Sequence, residues 1–160
     1  AIGSDCPLFL EDGACVVRGR GELIENLGED ARKRLSGRKA ALFWPSFAIS
    51  TPWAYTCLRR PSAPGPSIKA EYLEKWLTGD MPAEEVILND FEDVLAHKFP
   101  TFSVLLDHFR DILGLGCTVS GSGSTCFALV QEDVILDQLE EQVRSCWGEQ
   151  AGFERTTLLQ

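Results

Sequence analysis

Between Cys117-Thr118-Val119 and Cys126-Phe127-Ala128-Leu129-Val130, two β-prone stretches, stand six small residues, Ser120-Gly121-Ser122-Gly123-Ser124-Thr125, with no polar spacer on either side. Strands that abut so short a connection hold it rigid, which a flexible linker would not be. Small residues also let successive backbone N–H groups converge on an oxygen-rich anion, so the segment predicts a phosphate-facing loop. Glycine-serine runs are commonly ordinary turns or linkers, and on composition alone that alternative stays open.

The rest of the chain supplies layers for this loop to sit between. Ala14 to Arg18 predicts a strand, Gly19-Arg20-Gly21-Glu22 a turn, and Leu23 to Leu27 a second short apolar segment, after which Asn26 to Gly37 is polar and charged. Lys39 to Trp44 predicts a strand stopped by Pro45, and Ser50-Thr51-Pro52 opens a helix running to about Arg59. A proline-rich connector, Arg60 to Pro66, follows. Ile68, Tyr72, Leu73, Trp76 and Leu77 then recur at helical spacing, with Ser67 as a cap and Gly79 as a stop.

Val86, Ile87, Phe91, Val94 and Leu95 predict one further helix, and Phe102, Leu105, Leu106, Phe109, Ile112 and Leu113 the next, with Pro100 between them. After the strand–loop–strand, Asp133 caps a helix with an apolar face of Ile135, Leu139, Val143 and Cys146, and Phe153 to Leu159 closes as a strand. Strands, a helical block, two strands, a helix and a last strand predict an α+β fold, a two-layer α/β sandwich with helices on one face of a mostly antiparallel sheet.

The chain of 160 residues is 44% hydrophobic, enough for a sizeable core. Its net charge of −9 opposes unspecific attraction to nucleic acid or an anionic membrane, so neither is expected as a partner and any phosphate site is local. The basic residues between Arg18 and Lys39 and the acidic run Asp80, Glu84, Glu85, Asp90, Glu92 and Asp93 are expected as solvated faces. Six cysteines, none in a CxxC pair and several inside apolar runs, predict buried free thiols in a reducing compartment. His97 and His108 lack zinc-site spacing, and no metal site of protein side chains is expected. No apolar stretch approaches a membrane span and Ala1 to Asp5 does not resemble a signal peptide, so a cytoplasmic location is expected.

Several ordered pieces resemble the back half of the GHMP small-molecule kinases, and within them those acting on 4-diphosphocytidyl-2-C-methyl-D-erythritol. They are Gly3-Ser4-Asp5-Cys6-Pro7-Leu8-Phe9, Gly19-Arg20-Gly21-Glu22, Ile49-Ser50-Thr51-Pro52-Trp53-Ala54-Tyr55, Asn89-Asp90-Phe91-Glu92, and the loop Ser120-Gly121-Ser122-Gly123-Ser124. The resemblance implies a ferredoxin-like GHMP C-terminal domain over 38–160 and, over 1–37, a remnant of the N-terminal domain. It implies transfer of the γ-phosphate of ATP, with Mg²⁺, to the 2-hydroxyl of that substrate in isoprenoid precursor synthesis. It makes Asp5 the carboxylate facing the substrate hydroxyl, where position alone reads it as a residue capping a turn.

The resemblance further implies that Thr51, Pro52 and Tyr55 border the cytidine pocket, with Tyr55 as a stacking platform; by themselves Trp53 and Tyr55 are helix-packing aromatics. Ser120 to Ser124 become the third motif of the family, near the nucleotide phosphates. The family's long phosphate-cradling loop and the lysine before it have no counterpart here, which implies a missing N-terminal half and little activity from these residues alone. A sister kinase for homoserine, a mevalonate or a sugar, or a non-catalytic α/β ligand-binding module, remains the alternative.

Overall fold

A computed structural model describes residues 8, 10, 11, 13–19, 21–58 and 67–159. Asp5 and Cys6, most of the first quoted motif, Arg20, and Arg59 with the proline-rich connector lie outside the described residues. The described chain falls into two units, one formed by residues up to Gly37 with the last few of the chain, the other by Arg38–Thr156.

In the first unit β1 (Cys15–Arg18) pairs antiparallel with β2 (Leu23–Asn26), bringing Val17 opposite Ile24 and Arg18 opposite Leu23. Arg18 Nε meets Glu25 Oε2 at 3.3 Å. The charged stretch that follows is largely helical. It forms α1 (Glu29–Leu35), with Glu29 and Asp30 in the first turn and Arg32, Lys33 and Arg34 in the last, charges that complement the helix dipole, and a Glu29–Lys33 ion pair of 2.7 Å one turn apart.

The second unit is built on a four-stranded sheet with strand order β4-β5-β3-β6, from β3 (Lys39–Trp44), β4 (Cys117–Val119), β5 (Cys126–Val130) and β6 (Gly152–Thr157). Both β3 and β4 run antiparallel to β5. Register places Cys117, Ala128 and Ala41 in one row and Val119, Cys126 and Phe43 in the next, and all six are buried on the face the helices cover.

The helices are α2 (Thr51–Leu58), α3 (Ser67–Thr78), α4 (Ala83–Val86), α5 (Phe91–Lys98), α6 (Thr101–Asp111) and α7 (Asp133–Trp147). α2 starts where expected: Ser50 Oγ accepts from Trp53 N–H and Pro52 sits in the first turn, where its missing donor costs nothing. Gly79 ends α3 in the left-handed region at φ 89°, while Asp80 N–H closes the turn onto Lys75 O. Leu95, Leu106, Phe102, Phe109 and Leu139 fill the space above Phe43, whose ring meets Phe109 edge-on at 5.5 Å.

Three expectations are corrected. The helix expected through Val86 and Leu95 is two, α4 and α5, because Asn89 Oδ1 accepts from Phe91 N–H and starts a new helix there. The buried stripe of α7 is Leu136, Leu139 and Val143, while Cys146 is exposed and Ile135 only half-buried. Ile112, expected in the core, lies just past the end of α6 and is 68% exposed.

Candidate functional site

The hairpin loop is shaped before any ligand is considered. Ser120 N–H donates to Thr125 O at 2.8 Å and Gly123 N–H donates to Ser120 O at 3.0 Å, closing a tight turn over Gly121 and Ser122. Gly123 has φ 82°, and a Cβ there would lie 3.0 Å from Leu95 Cδ1 and 3.2 Å from both Ile49 Cδ1 and Val119 Cγ1. Only a residue without a side chain fits both the backbone and the space. Among the described residues no backbone carbonyl accepts from the N–H groups of Gly121, Ser122 or Ser124, whereas the Gly123 N–H is committed inside the turn.

β4 is an edge strand, and alternate carbonyls of an edge strand point away from the sheet. Those of Cys117 and Val119 are both taken by side chains. Arg110 of α6 donates to Cys117 O from Nη2 at 2.7 Å and from Nε at 3.2 Å, and Asn89 Nδ2 donates to Val119 O at 2.7 Å. The same Nδ2 donates to Gly121 O at 2.9 Å, so the edge clamp extends into the loop.

Arg110 also forks onto Glu92 with two bonds of 2.6 Å, and Thr118, a buried hydroxyl, donates to Glu92 Oε2 at 2.7 Å. Burial works to lower the Arg110 pKa, but the Glu92 carboxylate outweighs it and holds the guanidinium above its ordinary value. Glu92 is therefore not part of a solvated acidic face, and neither is Glu84, which pairs with Arg38. Removing one partner strands the other: Arg110→Met should cost about 2 kcal/mol in urea unfolding, below the roughly 3–5 kcal/mol of a fully buried pair because Arg110 retains some solvent. Glu92→Gln should largely relieve Arg110→Met in the double variant; simple additivity would show that the two side chains are not coupled.

The described cysteines, Cys15, Cys57, Cys117, Cys126 and Cys146, are free. Burial pushes the Cys117 thiol up to about 12 against a partial opposing pull from Arg110, and pushes Cys126 higher still. Both are core thiols held protonated and unsuited to act as nucleophiles.

Of Thr51, Pro52 and Tyr55, the residues expected to border a cytidine pocket, Thr51 meets the loop. Thr51 Oγ1 lies 3.0 Å from Ser122 Oγ, a hydrogen bond between the first residue of α2 and the tip of the turn. One turn further along the helix, Tyr55 meets the edge of Phe91 at 4.9 Å and keeps 46% of its surface exposed. Trp53 faces another way, against Phe99 at 6.0 Å, which separates the packing aromatic from the open one. Pro52 is exposed between them, and its carbonyl accepts from Thr56 Oγ1 at 2.8 Å.

Of the three residues of α2, Thr51 thus touches the loop directly, while Tyr55 is linked to it through Phe91 and Asn89. The role of Asn89 escaped the sequence reading because an unbroken helix across Val86 to Leu95 buried it mid-element. Its signal was present: an Asn two residues before an apolar helical run is a helix-starting pattern. Among the described residues no group of three or more His, Cys, Asp or Glu side chains can hold a metal ion, and no helix is long and apolar enough to cross a membrane.

Comparison with known proteins agrees with this architecture. Residues 77–149 match the family described as GHMP kinases C terminal. The chain is 31% identical over 150 residues to a 4-diphosphocytidyl-2-C-methyl-D-erythritol kinase of Leptospira interrogans, covering 89% of the chain and 48% of that protein. It is 35% identical to a protein of the same name from Thermotoga petrophila, covering 82% and 47%.

A crystal structure of 4-(cytidine 5'-diphospho)-2C-methyl-D-erythritol kinase superimposes with a TM-score of 0.65 at 29% identity, covering 96% of the chain and 53% of that structure. Homoserine kinase from Cytophaga hutchinsonii, at 18% identity and TM-score 0.67 over 91% of the chain and 48% of that structure, shares the fold. The chain spans about half the length of the curated relatives it matches. The edge-clamped hairpin, the helices above it and these matches agree: the chain belongs to the GHMP kinase family and carries its C-terminal α+β domain.

Proposed function

We propose that the chain works as the C-terminal part of a cytoplasmic kinase that transfers the γ-phosphate of ATP to the 2-hydroxyl of 4-diphosphocytidyl-2-C-methyl-D-erythritol in isoprenoid precursor synthesis. Residues 1–37 would belong with the N-terminal domain of that kinase and 38–160 form the C-terminal one. The observation that supports this most is the Thr51–Ser122 hydrogen bond, since it joins the loop assigned to phosphate with the wall assigned to cytidine.

Each residue then has a task. Tyr55 offers its open ring to the cytosine, and Thr51 and Pro52 border it. The N–H groups of Gly121, Ser122 and Ser124, which no backbone carbonyl among the described residues takes, are donors of the kind a phosphate oxygen accepts from, as are the Ser122 and Ser124 hydroxyls. That donor set fits the edge of a phosphate chain, while the principal grip on ATP is assigned to the half of the kinase not in this chain. ATP, when bound, supplies the phosphoryl group. Asp5 accepts the proton of the substrate hydroxyl as its oxygen bonds to phosphorus and ADP leaves. The described residues offer no cluster of His, Cys, Asp or Glu side chains for Mg²⁺.

Titrating the complete kinase with cytidine diphosphate and with adenosine diphosphate tests the wall. Stacking on an aromatic gives roughly 1–3 kcal/mol per base, so Tyr55→Ala should weaken cytidine diphosphate about tenfold or more and leave adenosine diphosphate unchanged. Equal affinity of both proteins for cytidine diphosphate would remove Tyr55 from the site.

A further inference from the structure

Asn89 commits both of its amide donors and its carbonyl oxygen to the backbone around the hairpin and the start of α5. Its Oδ1 accepts from Phe91 N–H at 2.9 Å, which fixes the amide orientation and turns Nδ2 toward the hairpin. Nδ2 then reaches two carbonyls, Val119 O at 2.7 Å on the edge strand and Gly121 O at 2.9 Å inside the turn. The residue it starts, Phe91, is the one Tyr55 leans on at 4.9 Å. A single half-buried amide thus bears on two elements: the turn through Gly121 O, the aromatic wall through Phe91.

We infer that Asn89 is a positioning residue for phosphoryl transfer, setting the register of the Gly121–Ser122 turn against the Thr51–Tyr55 wall. Gly121 has a left-handed backbone with nothing within 4 Å of where a Cβ would stand, so neighbouring side chains do not brace this end of the turn as they do at Gly123. The amide grip on Gly121 O supplies that brace, one residue before the Thr51–Ser122 bond. Asn89 touches neither substrate nor nucleotide in this account; it acts through the turn. The inference rests on the kinase reading above.

Asn89→Asp is the informative variant. It keeps the size and the acceptor for Phe91 N–H but sets a carboxylate oxygen against two carbonyl oxygens, and protonation returns one O–H donor. In the complete kinase, folded by circular dichroism, kcat should fall about 10- to 100-fold near neutral pH, the scale of a displacement of about 1 Å in a reacting array, with KM for ATP nearly unchanged. Relative to the native enzyme the variant should recover severalfold as the pH is lowered from about 8 to about 5.5, because facing carbonyls raise the carboxyl pKa. Asn89→Ala should show the loss without the recovery, and it stands in if the aspartate variant does not fold.

Hydrogen exchange over residues 119–125 reads the clamp without any substrate. The protected amides of Ser120 and Gly123 should exchange about tenfold faster in either variant. Unchanged exchange would overturn the clamp; faster exchange with native kcat and KM at every pH would overturn the positioning role. Should the native kinase transfer no phosphate to the cytidine substrate, the kinase reading fails, and the exchange experiment still decides whether Asn89 holds the turn.

Discussion

Asp5→Asn in the complete kinase is expected to lower kcat by roughly 10²–10⁴-fold, the usual contribution of a positioned general base, with melting temperature and nucleotide affinity close to native. Asparagine matches the size and polarity of aspartate but cannot take up the hydroxyl proton, so the loss isolates the chemical step. The competing view, that Asp5 caps a turn, makes the opposite forecast. Asparagine caps as well as aspartate does, and a capping role would leave kcat untouched. Steady-state kinetics at saturating substrate separate the two, and a kcat within about twofold of native would take Asp5 out of the chemistry.

Gly123→Ala carries the second large effect, on stability. At φ 82° an L-residue pays about 1–2 kcal/mol for the left-handed backbone, and the new methyl meets Leu95, Ile49 and Val119 at 3.0–3.2 Å, where overpacking adds about 1–3 kcal/mol. Together these give a loss of about 2–5 kcal/mol in urea unfolding. Gly121→Ala, with a similar backbone but nothing within 4 Å of its Cβ, should lose only the backbone part. Equal losses at the two positions would mean that the packing between α5, Ile49 and β4 does not constrain the loop.

Much of this was legible in the residues. The flanking β-prone runs placed the loop on a hairpin, Ser50-Thr51-Pro52 marked the start of α2, and Gly79 marked the end of α3, because each signal is local and needs only a few neighbours. What stayed hidden depended on partners far along the chain. Glu92 reads as one more acid in a charged run until α6 brings Arg110 to it and β4 brings Thr118. The helix over 29–35 is polar almost throughout, so apolar periodicity had nothing to follow there; the i,i+4 charge pair Glu29–Lys33 was the available cue. In α7 the expected and observed stripes share Leu139 and Val143, and only packing against the sheet chose Leu136 over Ile135 and left Cys146 outside.

The position of the loop relative to the wall was the point of greatest consequence and could not be read from spacing, since Thr51 and Ser122 stand 71 residues apart. The family resemblance supplied the expectation that both serve one site. The hydrogen bond between them shows Thr51 and Ser122 in contact, and that they serve one site is part of the proposed function. Asp5 remains a proposal carried by the resemblance.

The most direct test offers the complete kinase radiolabelled ATP with 4-diphosphocytidyl-2-C-methyl-D-erythritol and homoserine together. The account predicts label on the 2-hydroxyl of the cytidine substrate alone, with the rate falling on Tyr55→Ala. Label on homoserine, or transfer to the cytidine substrate that is indifferent to Tyr55, would contradict it.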